Sequence, residues 1–425
     1  MKLNYKRTFF VGFAFLSICA FWELYEGVIP KMLEGTFGLG ETVVGAIMAI
    51  DNVLALFLLP LLGALSDKVR TPIGRRMPFI IIGTLLASVF IILLPIADYQ
   101  GNIILFMIAL AIVLVAMASY RSPAVALIPD VTPKPLRSKA NAIINFMGTL
   151  GGIYALVMTL FLYKDDGSIN LPVFISVVAI MLLSVIFLMT TIKENKLREK
   201  AREEEKEFDI DEETATDDIG SNEEMSADVR RSFIFILASI FLWFFAYNAV
   251  KTAFSRYADK VWGLGGGTYT LPLMVAFGAA LISYIPIGII SSKIGRKKTI
   301  IGGIIILTLS YLCGTLFSQP SPLINVVFAF TGIGWASINV NSYPMVVEMC
   351  RNSDTGKYTG YYYTCSMAAQ IITPIFSGFL MEKIGYEILF PYAVIFSLAS
   401  LATMLFVKHG DSKPSKVRKQ KEANI

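Results

Sequence analysis

The sequence predicts an all-α integral membrane protein with twelve transmembrane helices in two pseudo-symmetric six-helix bundles. Three observations lead there. Of 425 residues, 55% are hydrophobic and only 16% are charged, against roughly 25% charged in a soluble domain. Apolar windows of about 20 residues, long enough to cross the hydrocarbon core as helices, recur along the chain. A basic loop between two such windows, GALSDKVRTPIGRRMPF at 63–79, has a shorter relative, GIISSKIGRKK at 288–298, about half a chain later. Barrel strands would instead read as short alternating segments.

The first half carries spans near 8–30, 41–66, 77–97, 102–129, 138–162 and 170–192, so 1–192 forms the first bundle. Its opening is basic and then apolar, like a signal peptide. The span is too long for one, holds Glu23 and Glu26, and lacks a small-residue cleavage site, so it reads as retained. The rhythm stops at 193–231, a charged linker with nearly half of the 32 acidic residues. Its first part, KENKLREKAREEEKEF, extends the sixth span into the cytoplasm; the rest is too polar to fold alone. A solvated tether is one reading, and a regulatory or partner-binding segment is the other.

The second half carries spans near 232–258, 268–292, 298–317, 322–349, 358–381 and 387–407, giving a bundle at 232–408 and a basic cytoplasmic tail at 409–425. The halves match beyond the two loops. FWELYEG in the first span and LWFFAYN in the seventh are each followed by GLG. The fourth span carries Pro123 and ends at Asp130; the tenth carries Pro344 and ends near Glu348. Internal duplication of this kind is how many secondary transporters are built.

Basic residues set the orientation. Lys2, Lys6 and Arg7, the bases of both repeated loops, Lys134, Arg137 and Lys139, and Arg351 and Lys357 all fall on one side. By the positive-inside rule both termini are cytoplasmic, in a plasma membrane. The net charge of +5 is then topology and lipid-surface charge and gives no reason to invoke nucleic acid. The four cysteines lack metal-ligand spacing and suit packing, so no metal is expected. No nucleophile–base pair or phosphate loop suggests an enzyme or a bound cofactor.

Glu23, Glu26 and Asp51 fall well inside apolar spans. Asp51 lies about 15 Å into its helix at 1.5 Å per residue. A charge there is costly by a few kcal/mol, so it faces a cavity or a partner. Glu23 and Glu26 share a helix face, and two carboxylates repel in low dielectric, so one can hold a proton near neutral pH. His409, the one histidine, is in the tail, which leaves proton coupling to carboxylates. Arg121 is the natural partner for an embedded acid or for substrate hydroxyls; a static ion pair is the alternative. Lys251 is near a span end and can snorkel.

Trp22, Tyr25, Trp243, Tyr247, Asn248, Trp335, Asn339, Asn341 and Gln370, with Asn52 and Asn145, are candidates to line a cavity. Aromatic faces stack on sugar C–H faces, and amides and carboxylates hold hydroxyls. Tryptophan and tyrosine also favour membrane interfaces, so belt positions remain an alternative. Gly148 and Gly152 read as a helix-packing pair.

These residues resemble a known family. The 63–79 loop resembles the loop between helices 2 and 3 of the major facilitator superfamily. Its insertion between Asp67 and Gly74, followed by RRxPF, is similar to the sucrose-transporter group. PAVALIPDVTP at 123–133 and the run 335–385 resemble the glycoside–pentoside–hexuronide cation symporters. The resemblance implies the major facilitator fold and a sugar:cation symporter working by rocker-switch alternating access. Asp67, Arg75 and Arg76 would lock the cytoplasmic side in the outward-open state. Gly63, Asp130 and Arg137 complete the gating set in the first half; Gly288, Arg296 and Glu348 form its counterpart in the second.

The chain departs from the pattern in places. Val125 stands where plant sucrose carriers have arginine, with Arg121 one turn earlier. Ala55 and Leu59 stand where melibiose-type carriers have two acids. Only Asp51 remains nearby, which favours H+ over Na+ as the coupling ion. Ser292 stands where the second loop's motif prefers an acid, so the second lock should be weaker.

The expectation is a monomeric importer that couples a proton to uptake of a disaccharide or similar glycoside. Asp51 and Glu26 take the proton, Glu23 assists, and Arg121 pairs with whichever acid is ionised. One rival is a drug or lipid exporter on the same fold. Another is a non-transporting sugar sensor that signals through the linker.

Overall fold

The computed structural model describes residues 4–132, 137–207, 227–347, 349 and 355–411. Among these, regular structure is entirely helical. Twelve helices are long and apolar enough to cross a membrane. In the first half these are α1 (Tyr5–Gly35), α2 (Glu41–Lys68), α3 (Met77–Tyr99), α4 (Ile103–Val131), α5 (Arg137–Leu162) and α6 (Leu171–Thr191). A short polar helix, α7 (Glu194–Glu207), follows. The second half carries α8 (Ala227–Trp262), α9 (Thr270–Ile294), α10 (Arg296–Gly314), α11 (Leu323–Val347), α12 (Thr355–Ile384) and α13 (Leu389–Leu405).

Local chemistry sets several helix ends. The Asn4 side chain accepts from the Arg7 amide and that of Asn102 from the Leu105 amide, both at 3.0 Å. Each satisfies a donor that the first helical turn leaves orphaned. Large apolar side chains stand outward where a soluble protein would bury them: Ile282 is 77% and Ile285 76% exposed. Lipid is the solvent that makes this stable.

The expected cytoplasmic extension of α6 does not form. Ile192 is extended (φ −105°, ψ 105°) and α7 starts afresh at Glu194. The break lets α7 lie against α4, with Leu197 packed on the core and Ala201 only 5% exposed. The remainder of the charged linker, 208–226, and the tail beyond Asp411 lie outside the described residues.

The chain forms two compact units. The first holds Met1–Glu212, Thr252–Met274 and Pro374–Glu382; the second holds Glu213–Lys251, Val275–Thr373 and Lys383–Ile425. In the first, α1 packs along α5 and α6, and α3 along α4 and α6. Its core includes Ala14, Phe21, Val28 and Leu110. Gly148 of α5 sits on the Cys19 sulfur of α1. In the second unit α10 packs on α11 and α13.

Candidate functional site

Three helices of the first unit bring embedded charges together. Asp51 on α2 interacts electrostatically with Glu26 on α1 and Arg121 on α4, and the Asn52 amide donates to Asp51 Oδ1 at 2.7 Å. The Arg121 guanidinium lies over the Trp22 ring, 5.7 Å from its centroid, a cation–π arrangement. Trp22 and Tyr25 meet edge to face at 5.3 Å. Tyr25 is buried, and its phenol feels both Asp51 and Glu26. The Trp22 indole N–H and the Tyr25 hydroxyl have no hydrogen-bond partner among the described residues. A buried donor without a partner is costly, so these two groups suit a bound polar ligand. Glu23, on the same helix, acts electrostatically on Tyr269. Asn145 is exposed, and its carbonyl accepts from Thr149.

The basic loop before α3 is built from two arginines held by two acids. Arg76, 4% exposed, donates to Asp67 at 2.6 Å, to Asp130 at 3.0 Å and to the Gly63 carbonyl at 3.2 Å. Arg75 donates through Nε to Asp130 at 3.0 Å, contacts it again through Nη2, and lies 3.1 Å from Asp67. Burial opposes the Arg75 charge, but the hydrogen bond to Asp130 and the charges of Asp130, Asp67 and Glu194 push its pKa above the ordinary value. Sequence reasoning placed Glu194 in the linker and missed its role. Its carboxylate accepts from the amides of Arg75 at 2.8 Å and of Arg76 and Met77 at 3.1 Å. Gly63, Asp67, Arg75, Arg76 and Asp130 thus meet in one place. The Arg137 side chain and the whole of Glu348 lie outside the described residues. In the second loop Ser292 bonds its own helix at the Ile289 carbonyl, and Ser291 bonds the Gly288 carbonyl. The Lys297 amide at the start of α10 donates to Asp411 at 3.2 Å, next to Arg296.

At the opposite ends of the spans the first unit carries a seam of ion pairs that the sequence did not reveal. Glu41 on α2 and Arg256 on α8 meet at 2.9 Å with side chains 5% and 4% exposed. Lys31 pairs with Asp165 at 3.2 Å and lies over the rings of Tyr163 and Tyr269. Lys260 pairs with Glu34 at 2.9 Å. Glu382 on α12 accepts from the Thr42 amide at 3.0 Å and its hydroxyl at 2.6 Å. Here α2 and α12 cross with no side chain between them: Gly45 abuts the Pro374 carbonyl and Gly378 the Glu41 carbonyl.

In the second unit Tyr247 stacks on Trp335, centroids 3.7 Å apart and planes within 6°. Each ring spends one face on the other. Trp243 is 1% exposed, and its indole N–H, like that of Trp22, has no hydrogen-bond partner among the described residues. Asn339 is exposed, Asn248 is half-buried, and Gln370 donates to the Ser366 carbonyl one turn back at 3.3 Å.

Twelve apolar spans, a charge cluster within them and an arginine loop between the second and third define a multi-pass membrane transporter. The Major Facilitator Superfamily profile matches residues 11–285 and 260–425, and the chain belongs to that family. It is 24% identical to an uncharacterized MFS-type transporter of Methanocaldococcus jannaschii over 407 residues, 95% of each chain. It is 28% identical to a probable nitrate transporter of Staphylococcus epidermidis over 203 residues, 47% of this chain and 48% of the other. The structure of a D-xylose–proton symporter superposes with a TM-score of 0.67 at 17% identity, covering 96% of this chain and 98% of that one. A likeness at that identity carries the fold alone. The protein is a transporter and not an enzyme.

Proposed function

We propose that this transporter couples an inward proton to uptake of a sugar, a disaccharide or other glycoside, by alternating access. The observation that carries the reading is the Glu26–Asp51–Arg121 network inside three spans. Ionisable groups at that depth are maintained where they move ions or hold a substrate. When Asp51 is protonated, Arg121 is released from part of its acidic surroundings and can turn to substrate. When Asp51 ionises, it competes for Arg121. Proton and substrate therefore share one cation. The sugar component rests on the unpartnered Trp22 and Tyr25 donors beside the network, which match hydroxyl oxygens, and on the likeness of the 63–79 loop to sugar carriers.

A second reading is uptake of a small inorganic anion. The partial likeness to a probable nitrate transporter favours it, and Arg121 is a suitable anion partner. Reconstituted protein tested against a panel of disaccharides, glycosides and nitrate, with and without a proton gradient, separates the two. Accumulation of a sugar that collapses with the gradient supports the proposal; gradient-independent uptake, or uptake of nitrate only, overturns it. Asp51→Asn should abolish gradient-driven accumulation and keep counterflow exchange. Full accumulation by that variant removes Asp51 from the mechanism.

A further inference from the structure

The two matched loops are met from outside in the same way. In the first, Ile73-Gly74-Arg75-Arg76 leads into α3; in the second, Ile294-Gly295-Arg296-Lys297 leads into α10. Both glycines have positive φ, +124° and +98°, so both turns are made the same way. Each turn is then met by a carboxylate from outside the loop. Glu194, just past the end of α6, accepts from the amides of Arg75, Arg76 and Met77. Asp411, just past the end of α13, accepts from the amide of Lys297, the counterpart of Arg76. A Cβ on Gly74 would overlap the Glu194 carboxylate, and one on Gly295 would lie 2.9 Å from both Asp411 oxygens. The sixth and last spans of a duplicated chain occupy equivalent places, so these two acids are equivalents supplied by linker and tail.

We propose that Glu194 and Asp411 are matched positioning residues, each seating the N-terminus of the third span of its half and through it the basic gating loop. The physical basis is the same in both. The first turn of a helix leaves several N–H groups unpaired and carries partial positive charge, so a carboxylate there is favoured twice over. Glu194 is 1% exposed, which shields the interaction from water. In the first half the cap also fixes the backbone from which Arg75 and Arg76 reach Asp67 and Asp130. In the second, Asp411 meets the Lys297 backbone amide as Glu194 meets that of Arg76. Linker and tail therefore reach the gating loops directly at their first few residues.

The full-length protein in lipid nanodiscs provides the test, by amide hydrogen exchange read on peptides covering 73–79 and 294–299. Glu194→Ala should speed exchange of the first peptide by roughly five- to tenfold, on the scale of a lost cap, and leave the second unchanged. Glu194→Gln should fall between, and Glu194→Asp should restore most of the protection. Asp411→Ala should do the converse, with rescue by Asp411→Glu. Truncation after Asp411 should leave the second peptide protected, and truncation before it should not. A gating readout separates positioning from a merely local cap. In a background without the native cysteines, Lys260→Cys reports opening of the opposite side to a membrane-impermeant maleimide. If the first loop holds the closed cytoplasmic side, Glu194→Ala should slow that labelling severalfold. Unchanged exchange, exchange that rises in both peptides together, or local exchange with unchanged labelling each overturns the proposal.

Discussion

At the scale of single residues, charges in this protein divide by whether their depth makes them expensive. Asp51, Glu26 and Arg121 were legible in the sequence because a charge in mid-span has no solvent and must have a reason. Glu41, Arg256 and Lys31 were not. They sit near span ends, where a charged side chain ordinarily reaches water, and nothing in the sequence distinguishes a snorkelling arginine from one buried against a glutamate. The structure shows that Arg256 is of the second kind, with both partners almost fully covered. Removing one partner of such a pair strands the other. Arg256→Met should therefore destabilise the folded protein by about 3–5 kcal/mol, read as a lowered thermal midpoint in detergent. Replacing both, Arg256→Met with Glu41→Leu, should recover most of the loss, because no uncompensated charge remains.

At the scale of elements, the spans were legible almost to their ends, and the linker was not. Apolar windows predicted all twelve helices, since length and hydropathy are what a bilayer demands. The helical character of 194–207 was also visible, but its independence from α6 was not. The break at Ile192 depends on Glu194 meeting α3, a contact between distant parts of the chain. The crossing of α2 and α12 is equally tertiary. Reciprocal glycines let each backbone touch the other's carbonyl. Gly45→Val should hold the helices apart. Bifunctional cross-linking of cysteines placed at Thr42 and Glu382 should then fall severalfold. Gly35→Val is the control: a Cβ there meets nothing within 4 Å, so cross-linking should persist.

At the scale of the whole molecule, fold and family followed from duplication, periodicity and one loop, while the branch of the family did not. The fold is enforced by the membrane and by twelve repeated apolar windows. Substrate choice is carried by a handful of side chains, and no length or hydropathy rule picks them out. Trp243 packs inside the second unit, and Tyr247 gives one face to Trp335. Trp22 and Tyr25 stand beside the charge network and form a compact group of candidates with it. Linker function is a whole-molecule question as well. Deleting 208–226 while retaining α7 should leave uptake within about twofold of the parent, as expected when effective concentration varies weakly with tether length. A collapse of transport with normal expression would show that this segment does more than connect.

The ion pairs at the seam have a consequence for bioenergetics. Lys31 with Asp165, Glu34 with Lys260, and Glu41 with Arg256 are each electrically neutral couples. A couple whose partners move together carries no net charge through the membrane's field. An elementary charge crossing that field exchanges about 2.3 kcal/mol per 100 mV, so each couple is insensitive to the voltage for as long as its partners stay paired. If Asp51 takes up the coupled proton as proposed, the charge it gains and loses within its span is what lets the membrane potential act on the cycle.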